Sequence, residues 1–111
     1  MNQTAPQERR ATSRKLFHRR ITVVLSNGAT LNGHTIDLTA GGLRAAILEP
    51  IGTPQECTFE LALLLDGKQR VLKGRGRILS CVCTGMIGFS VGIQFVKLDE
   101  ATQGLVAALL R

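Results

Sequence analysis

The sequence predicts an all-β protein: a six-stranded antiparallel barrel, closed or split, with a flexible basic arm before it and one α-helix after it. Three observations carry this reading. Short alternating apolar and polar segments recur from Arg20 to Val96, with turn signals between them and no stretch of helical spacing. Two dipeptides, Asn27-Gly28 and Asp66-Gly67, have the composition of tight hairpin turns, the first that of a type I′ turn. Charge is lopsided: residues 1–20 hold six basic residues against Glu8 alone, a net of +5, whereas residues 21–111 hold eight basic and seven acidic residues. Six strands joined by turns rather than helices suggest a sheet that curls into a small barrel.

In chain order, residues 1–20 read as the arm, and residues 21–111 as the barrel with its helix. The arm is polar and has little to bury, which makes it a poor candidate for independent order. Arg20–Ser26 is the first strand and Ala29–Asp37 its returning partner. The following Leu-Thr-Ala-Gly-Gly, ending at Gly42, must bend, because two glycines in succession can take positive φ. Leu43–Ile47 is a third short strand, and Pro50, Gly52 and Pro54 mark a loop. Alternation in Cys57–Leu65 puts Cys57, Phe59, Leu61, Leu63 and Leu65 on one face. The strand from Arg70 to Cys83 sets Lys73, Arg75 and Arg77 opposite Gly74 and Gly76, and reads as a solvated face. Thr84-Gly85 breaks it, and Gly88–Val96 aligns Phe89, Val91, Ile93 and Phe95. The helix, about residues 99–110, begins with Asp99 as N-cap and Glu100 in its first turn. Its Leu98, Ala101, Leu105 and Leu109 share a face that would cap the barrel.

Composition narrows the function. The longest apolar run, Leu61–Leu65, is far short of the roughly 20 residues a membrane span needs, and no signal-peptide core precedes it, so a cytoplasmic location is expected. Three cysteines, an odd number, read as reduced thiols. Cys81 and Cys83 form C-x-C far from His18 and His34, which suits small buried hydrophobes better than a metal site. No Ser-His-Asp, Cys-His or paired-carboxylate arrangement is present, nor a phosphate-binding loop, so neither catalysis nor a cofactor is expected.

Two motifs carry chemistry. Arg10 and Arg14, four apart, would repel if the arm were helical, and an anion between them would reverse that sign. Guanidinium forks grip phosphate or the O6/N7 edge of guanine with paired hydrogen bonds. A solvated basic tail is the plain alternative. In Asp37-Leu-Thr39-Ala-Gly41-Gly42, a carboxylate can accept from guanine N1–H and N2–H, the Thr39 hydroxyl can meet a phosphate or the turn backbone, and glycine admits a flat ring. An ordinary Asx or ST turn is the alternative there.

Taken together, R-x-x-x-R at Arg10–Arg14 and D-x-T-x-x-G at Asp37–Gly42 resemble the paired motifs of the PilZ family of cyclic di-GMP receptors. The resemblance extends to the later hairpin strands, the Gly92–Val96 strand and the terminal helix. Thr39 stands where the family has serine, keeping the hydroxyl and adding a methyl group. The resemblance implies a receptor whose arm wraps over cyclic di-GMP. Arg10 and Arg14 would contact phosphate and guanine, Asp37 a guanine edge, Thr39 a phosphate or the backbone, and Gly41-Gly42 would allow close approach. Arg9 adds a cation able to stack on a base, compatible with an intercalated ligand dimer. Signalling would pass to a partner protein or fused domain. Two rivals remain: a basic barrel binding nucleic acid, disfavoured because Trp and Tyr are absent and only four Phe are present, and an adaptor of PilZ type without ligand.

Overall fold

The computed structural model describes residues 14–85 and 88–111. Seven strands, β1 (Lys15–Leu16), β2 (Arg20–Leu25), β3 (Thr30–Thr39), β4 (Gly42–Ile47), β5 (Gln55–Leu65), β6 (Lys68–Cys83) and β7 (Phe89–Leu98), precede one helix, α1 (Glu100–Leu110). Pairing is antiparallel throughout, in the order β3-β2-β5-β6-β7-β4, and β4 returns to β3. Six strands therefore close a barrel as the sequence predicts, which leaves no unpaired edge in the ring. The two-residue β1 adds to the free side of β3 beyond the end of β2. The chain is thus joined to the barrel from Arg14 onward: Phe17 enters the core, and the buried Thr35 hydroxyl donates to the Phe17 carbonyl and accepts from the Arg19 N–H.

The inward face predicted for β5 holds, with Cys57, Phe59, Leu61 and Leu63 buried and Leu65 at the margin. They pack with Ile21, Val23, Leu72, Ile78, Val91 and Ile93, each worth about 1.5–3 kcal/mol on full burial. Gly74 and Gly76 of β6 face this core. A Cβ on Gly76 would lie 2.6 Å from Ile93 Cγ2, so the glycines make room for close packing while Lys73, Arg75 and Arg77 stay in solvent. Arg77 meets Glu56 across the strands at 2.8 Å, an exposed pair of little energetic weight.

The turns divide. Asp66-Gly67 has positive φ at both residues, 55° and 77°, the two-residue loop its composition suggests. Asn27-Gly28 differs from the type I′ expectation. Only Gly28 has positive φ, the Gly28 N–H bonds to the Leu25 carbonyl, and the Leu25 N–H bonds to the Ala29 carbonyl. The loop therefore has three residues, with glycine at its left-handed end. The Asn27 side chain accepts from the Ala29 N–H instead of entering the left-handed region itself.

Two further expectations are corrected. Among the cysteines only Cys57 is buried; Cys81 is half-buried and Cys83 exposed. The last β5–β6 pair is Gln55 with Ile78, so β7 is the only strand beside the end of β6; Cys81 packs at the margin of the core and Cys83 lies beyond it. Burial pushes the Cys57 thiol up to about 11. In α1 the buried stripe is Thr102, Leu105 and Val106, with Ala101 facing solvent. Lys73 lies one residue beyond the β6–β7 ladder, and its N–H points at the Thr102 hydroxyl at 3.5 Å, which turns that residue inward.

Asp99 caps α1 as expected, accepting from the Thr102 N–H at 2.8 Å. That hydrogen bond holds its carboxyl below the usual range. A depressed folded-state pKa contributes stability above the ordinary aspartate range that is lost as pH falls. Asp99→Asn retains a capping oxygen without the titration. Urea unfolding should therefore show the variant losing less stability than wild type between about pH 5 and pH 3; equal losses would remove Asp99 from the acid response.

Candidate ligand site at the β3–β4 bend

β3 contains an irregularity that sequence alternation alone does not announce. Up to Thr35 its odd-numbered residues point inward, and continued alternation would drive Asp37 into the apolar core. Instead the β3–β4 register shifts between Thr35 and Asp37, leaving Ile36 as an extra residue. Beyond this bulge Leu38 is the inward residue, opposite Leu43, and Asp37 stands on the outer side opposite Arg44. Bulges commonly re-aim a side chain in this way.

Asp37 is on the outer side yet only 2% exposed, because its neighbours roof it. Leu16 of β1 pairs beside it on one flank and Arg44 on the other. Arg44 donates to Oδ2 through Nε at 3.0 Å and Nη2 at 2.6 Å. Arg14 Nε stands 3.7 Å from the same oxygen. The hydrogen bond and charge of Asp37 push the Arg44 guanidinium above its already high ordinary pKa. A nearly buried carboxylate needs such a counter-charge, since an unpaired one would cost several kcal/mol. The two arginines remain 60% (Arg14) and 45% (Arg44) exposed, so a cationic surface covers a buried anion.

Two residues further on, Thr39 pairs with Gly42 around the two-residue loop Ala40-Gly41. Its hydroxyl accepts from the N–H groups of Gly41 (3.2 Å) and Gly42 (3.1 Å) and donates to the Gly42 carbonyl (3.2 Å). The hydroxyl is thus committed to the bend, the ST-turn reading of the sequence. Neither glycine takes positive φ, contrary to the expectation from Gly41-Gly42. The requirement at Gly42 is space: a Cβ there would collide with the Ile93 carbonyl oxygen of β7. At Gly41 a Cβ meets nothing within 4 Å.

Of the residues singled out from sequence, the fold brings Arg14, Asp37, Thr39, Gly41 and Gly42 to one end of the β3–β4 hairpin. Arg9 and Arg10 lie outside the described residues. Sequence reading missed Arg44. The signal was present: a two-residue loop at Ala40-Gly41 sets Thr39 opposite Gly42, hence Leu38 opposite Leu43 and Asp37 opposite Arg44, a direct cross-strand pair of opposite charge. His18 and His34 stack with ring centroids 5.2 Å apart, and no group of three or more metal-ligating side chains occurs among the described residues. A concavity of about 1330 Å³ is bordered by Arg20, Glu60, Lys73 and Lys97 and reaches Asn32, Gly33 and His34 at the far end of β3, but does not include Asp37.

The model of the PilZ domain matches residues 8–111, nearly the whole chain, and the chain belongs to that family. Solved structures agree on the fold. The PilZ domain of YcgR from Escherichia coli, solved with cyclic di-GMP, superposes with a TM-score of 0.67 at 15% identity, covering 92% of this chain and 88% of that one. The PilZ domain of CeSA from a cellulose-synthesizing bacterium gives 0.57 at 22% identity, covering 87% and 93%. The Bacillus subtilis inhibitor of motility, MotI/DgrA, gives 0.76 at 8% identity over 92% of this chain, which spans about half (49%) of that protein. No curated protein matches the sequence.

The bend separates two kinds of glycine. Gly42→Ala should lower stability by about 1–3 kcal/mol, the usual cost of forcing extra volume into packed structure, whereas Gly41→Ala should stay within about 0.5 kcal/mol of wild type. Chemical denaturation of the two variants reads the difference directly.

Proposed function

We propose that this PilZ domain is a non-catalytic receptor for cyclic di-GMP that signals through a partner protein or a fused domain. One observation carries the reading. Arg14 and Asp37, remote in sequence and belonging to two separate motifs, meet at one spot on the barrel surface, with their side-chain atoms 3.7 Å apart. Membership of the PilZ family and likeness to a domain solved with cyclic di-GMP support it.

The chemistry fits the ligand class. Cyclic di-GMP presents two phosphates and two guanines. Arg14, with Arg9 and Arg10 earlier in the arm, supplies guanidinium forks for phosphate oxygens or guanine edges. Asp37 supplies an acceptor for guanine N1–H and N2–H. Thr39 keeps the bend in shape beside it, and Gly41, exposed and without a Cβ, leaves the bend low enough for a ring to approach. Ordering the arm over the ligand costs conformational entropy, which the charge-assisted bonds must offset. The newly ordered arm would then be the surface that an effector reads.

The nucleic-acid alternative gains no support from the barrel. Phe17 and Phe59 are buried in the core and Phe95 stacks on Phe59 with centroids 5.4 Å apart, so these rings are turned away from a stacking platform. No described helix is long and apolar enough to cross a membrane.

Calorimetric titration with cyclic di-GMP, against GTP and cyclic di-AMP, tests the proposal. Wild type should bind cyclic di-GMP selectively. Arg14→Ala should bind at least about tenfold more weakly, as expected for one charge-assisted contact of about 1.5–3 kcal/mol. Its unfolding midpoint should be little changed, because Arg14 is mostly exposed. An Arg14→Ala variant with unaltered affinity would reject the assignment of the site.

A further inference from the structure

Two donors of Arg44 and the nearest nitrogen of Arg14 all converge on a single oxygen of Asp37, Oδ2. The other oxygen, Oδ1, receives no hydrogen bond from any described residue, although the side chain is only 2% exposed. An ionised carboxylate has about four acceptor positions, and buried acceptors are ordinarily filled. Asp37 therefore holds unused acceptor capacity directly beneath two exposed guanidinium groups.

We propose that Arg44 is a positioning residue that determines guanine specificity: by clamping Oδ2 it fixes the carboxylate of Asp37 so that Oδ1 is presented to the N1–H/N2–H edge of a guanine. The proposal rests on the receptor reading above and adds to it a residue outside both sequence motifs. The clamp is rigid for structural reasons. Arg44 and Asp37 are direct partners on β3 and β4, and Arg44 is also paired on its other side with Gly92 of β7, so its backbone is held from both flanks. Nε and Nη2 form one planar edge, and two donors on Oδ2 pin that oxygen more firmly than a single hydrogen bond would, leaving Oδ1 as the unengaged acceptor. A guanine edge offers two parallel donors to a carboxylate. Adenine offers an acceptor at the matching ring nitrogen and is repelled. A carboxylate free to rotate, or drawn toward Arg14, would lose that discrimination first.

Arg44 acts through Asp37 in this account, and a double-mutant cycle read by calorimetry with cyclic di-GMP separates that from direct contact with the ligand. Arg44→Gln should weaken binding at least about fivefold. Arg44→Lys, which keeps the charge but lacks the planar edge, should restore only part of the loss. In the Asp37→Asn background, Arg44→Gln should produce no additional loss, because there is no carboxylate left to orient. Unchanged affinity in Arg44→Gln would overturn the proposal, and so would losses that multiply in the double variant, which mark an independent phosphate contact. Should Arg44→Gln fail to fold, Arg44→Lys decides alone, and wild-type affinity in it overturns the clamp. Wild-type protein that does not bind cyclic di-GMP rejects the receptor reading itself, whereas a binding wild type with an indifferent Arg44 rejects only this inference.

Discussion

The extra residue at Ile36 is the constraint on which the site depends. Strand alternation is a strict two-residue rule, and a one-residue insertion reverses which side of the sheet every later residue faces. Without it Asp37 would replace Leu38 against Leu43 inside an apolar barrel, where an ionised carboxylate is untenable. With it, Leu38 completes the core and Asp37 reaches the outer surface opposite Arg44. Core packing and site chemistry are thus two consequences of a single register shift.

From that shift the remaining contacts follow in order. Asp37 is outward but covered, so it requires a counter-charge, and Arg44 provides one from the neighbouring strand. The short β1 provides the rest of the cover and brings Arg14 with it. Lys15, the next residue, donates to the Leu109 carbonyl at 2.8 Å and so places a cation at the C-terminal end of α1, where the helix dipole favours one and the last turn has no basic residue of its own. The last part of the basic arm, Arg14 to Phe17, is tied at once to the carboxylate of β3, to the core through Phe17 and to the terminal helix. A ligand that drew on Arg14 would act on a segment with all three attachments.

The barrel was legible because its signals are local and redundant. Inward residues on β5 and β7, the Asp66-Gly67 turn and the Asp99 cap each follow from a few neighbouring residues, and each is found in the structure. What escaped was set by non-local packing. Type I′ geometry at Asn27 failed because the Asn27 side chain capped the turn from a right-handed backbone. Ala101 was displaced from the buried face by a hydrogen bond between Thr102 and a strand 29 residues earlier. Cys83 was exposed because β5 had already ended. At the site the motifs located the bend and the acid, but the glycine requirement there is close approach of β7 to Gly42, and no local pattern reveals a strand about 50 residues downstream. Arg44 is within reach of sequence reasoning through the register of a two-residue loop, although it belongs to neither motif.

A crystal structure with cyclic di-GMP is the most direct test of the central claim, that the re-aimed Asp37 and the arm's Arg14 form one recognition site. The account requires a guanine edge within hydrogen-bonding distance of Asp37, with Arg14 on the same ligand molecule and Ile36 still bulged. Cyclic di-GMP seated instead in the concavity between Arg20 and Lys97, with Asp37 still enclosed and untouched, would contradict it.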